Sequence, residues 1–170
     1  MNLPTHHKHV LKKIFKDDQR DRRSFMRRPY TKEDILLLVE RDKERRLEVE
    51  KILNKNRKRL DGEDYYLASM VYQHGNRERD IEQAKHLAEK SLKLGYEKAK
   101  WLFAATTDRL LVRQGRKQKY GTQYFFKKGY YHWKLYPVNK RTTDERRRQF
   151  NVPSLAEQKK RVRTMSIPRM

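Results

Sequence analysis

Eight residues in this chain combine reactive side chains with a spacing that lets a small fold gather them: Asp42, Arg46, His74, Asp108, Arg109, Gln118, Tyr120 and Gln123. A histidine beside an aspartate performs general acid–base chemistry, and an arginine flanked by two glutamines holds an anionic or amide-bearing substrate. The same set has a second reading, a buried polar network that pins a hairpin to the helices, with Asp108 and Arg109 meeting Tyr120 or backbone groups. Asp42 and Arg46 stand one helical turn apart, which on an exposed helix is an ion pair worth about 0.3–0.5 kcal/mol. No phosphate loop, zinc-binding spacing or serine or cysteine nucleophile motif accompanies them. His6, His7 and His9 read as a polar tail, and no metal or cofactor is expected.

A second set does its work through charge. Residues 109–143 contain ten Lys or Arg and no Asp or Glu: Arg109, Arg113, Arg116, Lys117, Lys119, Lys127, Lys128, Lys134, Lys140 and Arg141. Tyr120, Tyr124, Phe125, Phe126, Tyr130, Tyr131, Trp133 and Tyr136 interleave with them. Cations neutralise phosphates and exposed rings stack on bases, while the plainer reading makes most of these rings the buried face of a hairpin.

The elements that must position both sets follow from periodicity. Val10, Leu11, Ile14 and Phe15 fit a short amphipathic helix that docks on the body or on a partner, with a chain disordered in isolation as the alternative, and Pro29 ends that stretch. Thr31 and Asp34 form a capping box that opens a helix from Lys32 to about Asn54, with Ile35, Leu38, Val39, Leu47, Val49, Ile52 and Leu53 as its apolar positions. Helices follow over 63–74, over 81–94 behind Asp80, and over 97–113, separated by glycines that favour antiparallel neighbours. After Gly121 the period changes to two. A hairpin over about 122–136 that turns at Lys128-Gly129 would place Tyr124 opposite Trp133 and Phe126 opposite Tyr131. One helical turn near Asp144 and a helix opened by Pro153-Ser154 complete the chain. The expected fold is mainly α, about five antiparallel helices with one C-terminal aromatic hairpin. It comprises a basic arm at 1–30, a single domain at 31–163 and a tail at 164–170.

Two resemblances overlie this reading. The segment from Asp64 to Ala104 resembles about one and a half Sel1 or tetratricopeptide-type helix hairpins, with small residues at helix contacts. The run Asp108-Arg109, Gly115, Gln118 and Tyr120-Gly121-Thr122-Gln123 resembles the signature of an uncharacterised, mostly bacterial family of small proteins. Further matching pieces are Asp42 with Arg46, Gln73-His74, Leu135 to Val138, and Asp144-Glu145-Arg146-Arg147 followed by Val152 to Glu157. The resemblance spans roughly residues 35–160, lacks a Gly-Trp-Pro element between the first two helices, and implies a fold without an activity.

Composition narrows the function. The formal charge of +22 over 170 residues attracts polyanions. By segment it is +6 over 1–30, +1 over 31–108, +10 over 109–143 and +5 over 144–170, so a near-neutral scaffold carries basic attachments. No run approaches the ~18 apolar residues of a membrane span, and the absence of cysteine fits a reducing compartment. A cytoplasmic protein that binds nucleic acid, RNA above DNA, or sits on a ribonucleoprotein is the leading expectation, with Arg113, Arg116, Lys117, Lys119, Lys127, Lys128, Lys134, Lys140 and Arg141 as contacts. An enzyme built on the eight polar residues comes second and a protein-binding helical adaptor third. His74, Asp108, Arg109, Gln118, Tyr120 and Gln123 are expected to converge, and the oligomeric state is left open.

Overall fold

Every fourth or third residue along the start of the chain is buried: His7, Leu11, Ile14 and Asp18 make one stripe along helix α1 (His6–Arg27). The structure, a computed structural model, describes residues 6–27, 30–126 and 133–165, with the backbone alone at 25–27. Among them are seven helices and one two-stranded antiparallel hairpin, in the order α1, α2 (Lys32–Lys55), α3 (Gly62–Tyr72), α4 (Glu78–Lys93), α5 (Ala99–Arg113), β1 (Tyr124–Phe125), β2 (Lys134–Leu135), α6 (Asp144–Gln149) and α7 (Leu155–Thr164). The chain forms two compact units, Met1–Tyr96 and Glu97–Met170.

In the first unit α3 is the central element. Tyr65, Leu67, Ala68, Ser69, Val71 and Tyr72 are buried around most of its circumference, as a helix packed on several sides requires. Helices α1, α2 and α4 all contact it. Helix α4 contributes Ile81, Ala84, Leu87, Ala88 and Ser91, which recur every three or four residues along one face. Small residues let α3 and α4 approach: Ser69 Oγ donates to Ala84 O at 2.7 Å and Ser91 Oγ to Gly62 O at 2.6 Å. A Cβ on Gly62 would stand 2.7 Å from that of Tyr96.

One expectation, the docking of the arm's amphipathic helix on the body, holds here and three change. The arm at 1–30 supplies α1, which is part of the first unit's core through Leu11 and Ile14. Three of its cations pair with acids of α2 and of the start of α3: Lys8 with Asp61 and Glu63, Lys12 with Glu63, Arg22 with Asp42. His7 is buried beside Asp64 rather than lying in a polar tail. On α2 the apolar pattern misleads, because Ile35, Val39 and Leu47 are exposed and the buried stripe is Asp42, Arg46 and Val49. Helix α4 starts earlier than expected, since Asp80 is its third residue and its carboxylate accepts from the Arg77 N–H at 3.3 Å.

In the second unit Tyr120 is the core aromatic, packed with Ala104, Val152 and Phe150. The Phe150 ring stacks on Phe103 at 5.5 Å and tilts against Tyr120 at 5.1 Å. Ser154 caps α7 in a reciprocal box with Glu157. The hairpin pairs Tyr124 with Leu135 and Phe125 with Lys134, two residues away from the expected register. The register is set at the open end, where the Tyr136 N–H donates to Gln123 O at 3.2 Å and the Gln118 side chain donates to both Gln123 O and Tyr136 O. A shift of two conserves the alternation of faces, so the Tyr124 and Trp133 rings still meet, edge-on at 5.5 Å. The Lys128-Gly129 turn, with Lys127, Tyr130, Tyr131 and His132, lies outside the described residues.

Candidate nucleic-acid interface

Gly115, at φ +68, terminates α5, and the chain beyond it runs extended past Gln118, which forms a bridge to Val138. Extended backbone alternates its side chains, so Gln118 and Tyr120 are buried while Lys117 and Lys119 are exposed. The buried side is held by Asp108 near the end of α5. Its Oδ1 accepts from the Lys119 N–H at 2.6 Å and the Tyr120 N–H at 2.8 Å. Its Oδ2 accepts from the N–H and the hydroxyl of Thr122, both at 2.9 Å. Successive N–H groups thus cup a carboxylate that is fully buried.

The rest of the polar motif closes around this cup. Gln118 Oε1 accepts from the Gln123 N–H at 2.9 Å, and Gln123 Nε2 donates to Ala105 O at 3.2 Å. Arg109 Nε donates to Gln123 Oε1 at 3.3 Å. Burial pushes the Tyr120 phenol above its ordinary range. Two residues outside the expected site set complete the network: Arg147, 2% exposed, donates through Nε to Tyr120 O at 3.0 Å, and Gln158 Nε2 donates to the same oxygen at 3.0 Å. A six-residue helix offers too little periodicity to mark Arg147 as buried, so the sequence signal at this position is the motif piece Asp144-Glu145-Arg146-Arg147, which says nothing of burial. Gly121, at φ +92, lets the chain turn directly under the Gln158 amide, which a Cβ there would meet at 3.0 Å.

Asp108, Arg109, Gln118, Tyr120 and Gln123 are therefore together, with Asp108 saturated by four donors and not placed to take a proton from a substrate. The other three polar candidates belong to a network of the first unit. His74 Nε2 lies 3.5 Å from Asp18 Oδ2. Asp42 pairs with Arg22 of α1 and with Arg45 at 3.2 Å, and Arg46 Nε lies 3.8 Å from Asp80 Oδ2. The expected surface pair of Asp42 with Arg46 is replaced by buried pairs to other helices. Desolvation raises the Asp18 carboxyl above its ordinary range although Arg22 and Gln19 oppose it.

Exposed cations gather on the opposite side of the extended segment. Arg116, Lys117, Lys119 and Arg141, together with Arg146, line a cleft of about 710 Å³ with Thr107, Asn139, Thr142 and Thr143. None of these five forms an ion pair among the described residues. The Thr107 hydroxyl in the same lining is buried and has no hydrogen-bond partner among the described residues. Every side-chain carboxylate of residues 97–170 is engaged elsewhere. Glu97 pairs with Lys100, Asp144 with Arg147, Glu145 with Arg148, Asp108 holds backbone and Glu157 caps α7. Of the remaining expected contacts, Arg113, Lys134 and Lys140 are exposed outside this lining, and Lys127 and Lys128 lie outside the described residues. Arg146 was absent from the expected set because it follows the acid-free stretch.

Comparison with protein-family models, with curated proteins and with solved structures returns no match.

Proposed function

We propose that this chain is a cytoplasmic RNA-binding protein, free or within a ribonucleoprotein, and that it holds the phosphate backbone in the cleft of Arg116, Lys117, Lys119, Arg141 and Arg146. The observation that carries this reading is the commitment of all five side-chain carboxylates of the unit to other partners, which leaves five cations in one lining without an acidic partner among the described residues, although Arg146 also donates to Gln149 Oε1 at 2.7 Å and lies over the Phe150 ring. Such a cluster repels itself and is relieved by a bound polyanion. The polar motif around Asp108, Gln118, Tyr120 and Gln123 then acts as the staple that fixes Lys117 and Lys119 on one side. The proposal assigns RNA contact to the second unit, where five such cations share one lining, whereas Lys8, Lys12 and Arg22 of α1 pair with acids of their own unit.

The test is fluorescence anisotropy of a labelled RNA with the wild-type chain and with the triple variant Arg116→Gln, Lys117→Gln, Lys119→Gln. The variant should bind more weakly and lose about three units of the slope of log affinity against log salt. Weak wild-type binding at low salt, or a triple variant that binds as the wild type does, would remove the assignment.

A further inference from the structure

Two half-exposed aromatic residues from separate elements line one small cleft of the second unit. Trp101, 45% exposed near the start of α5, and Tyr124, 39% exposed on β1, share it with Leu135, Val162, Gln158 and Arg161. We propose that this cleft receives one unpaired nucleobase, so that the RNA recognised by the chain is single-stranded. The inference rests on the reading of the basic cleft as an RNA site and adds to it the class of strand.

Three observations point to a base rather than to a protein side chain or a larger ligand. The volume is about 230 Å³, below the ~300–1,000 Å³ of ordinary small-molecule pockets, and suits a single flat ring system. The polar groups are those that accompany a base on its strand: Arg161 is exposed and forms no ion pair among the described residues, which leaves its guanidinium for a flanking phosphate. Gln158 is 7% exposed and its amide is oriented by donation to Tyr120 O at 3.0 Å and Pro153 O at 2.9 Å, while its Oε1 accepts no hydrogen bond among the described residues. The walls, finally, stand on regular elements: Tyr124 on β1 is braced edge-on against Trp133, and Trp101 is carried by helix α5. Every base has a π-face and stacks on such rings, whereas bases within a duplex are already stacked and out of reach.

The experiment compares a labelled single-stranded 12-mer of RNA with a blunt RNA duplex of the same length, both bound to the full chain. Variants are Trp101→Ala, Trp101→Phe, Tyr124→Ala and the triple basic variant, each checked for native circular dichroism. Trp101→Ala and Tyr124→Ala should each weaken single-strand binding by about tenfold, leave duplex binding unchanged and keep the salt slope, with Trp101→Phe restoring most of the loss. The triple variant should weaken both probes and flatten the slope. Alanine variants that bind the single strand as the wild type does, while the triple variant fails, would overturn the base pocket and leave the backbone cleft standing. Alanine variants that lose both probes equally would also overturn it. A wild-type chain that binds neither probe would overturn both proposals.

Discussion

Asp108 shows what a single buried carboxylate contributes when its lone pairs are all spent on the chain itself. The N–H groups of Lys119, Tyr120 and Thr122 are removed from water on folding, and each left without an acceptor costs about 1–3 kcal/mol. Asp108→Asn removes one of the two acceptor oxygens and substitutes a donor that faces other donors. It should lower stability by about 2–4 kcal/mol, read from the urea midpoint, and displace Lys119 from the cleft. Full RNA affinity in a destabilised Asp108→Asn chain would separate the staple from the interface. Asp80 plays the equivalent part in the first unit. Although burial pushes its carboxyl up, hydrogen bonds from Arg77 and the charge of Arg46 outweigh it and hold the group below the ordinary carboxylate range. A lowered folded value means that the stabilisation is complete above the unfolded value and is lost as pH falls through the folded one. Asp80→Asn should therefore cost about 1 kcal/mol or more at neutral pH, and the gap to wild type should close as pH drops below about 4. A gap that stays constant down to that range would contradict the assignment of the charge.

At the scale of elements, close approach between α3 and α4 depends on small residues and on hydroxyls that satisfy carbonyls inside the contact. Gly62→Ala places a Cβ 2.7 Å from Tyr96 Cβ and 3.2 Å from Ser91 O. Neither neighbour is the free end of a flexible side chain, so the helices must separate. The expected loss is about 1–3 kcal/mol in thermal or urea unfolding, and an unchanged midpoint would show that the contact yields. The hairpin illustrates a different dependence. Its register is held by Gln118 and by the Tyr136 to Gln123 bond at the open end, not by pairing preference within strands of two residues. Helix α2 is the reverse case. Its first turns carry Ile35, Leu36, Leu37 and Val39 exposed, and its buried stripe is ionic except for Val49.

Across the whole molecule the charge is divided unevenly, with twenty Lys or Arg against five Asp or Glu in residues 97–170 and near balance over 31–108. If the cleft and its flanks neutralise about six to ten phosphates, affinity should fall by roughly three to five powers of ten between 50 and 200 mM salt. The sequence by itself determined the mainly helical class, the capping box at Thr31, the opening of α7 at Ser154, the buried face of α4 and the place of the hairpin, because each of these is set by neighbours within a few residues. It also marked Asp108, Gln118, Tyr120 and Gln123 as one polar set. Tertiary structure decided what those groups do. A carboxylate is an acid–base group or a backbone anchor according to which donors reach it, and the N–H groups around Asp108 come from residues 11–14 positions away. It likewise turned the expected Asp42 with Arg46 pair into buried pairs with Arg22, Arg45 and Asp80. Which cations stay unpaired was settled in the same way, because long side chains choose partners across helices, and that choice depends on packing that no local spacing encodes.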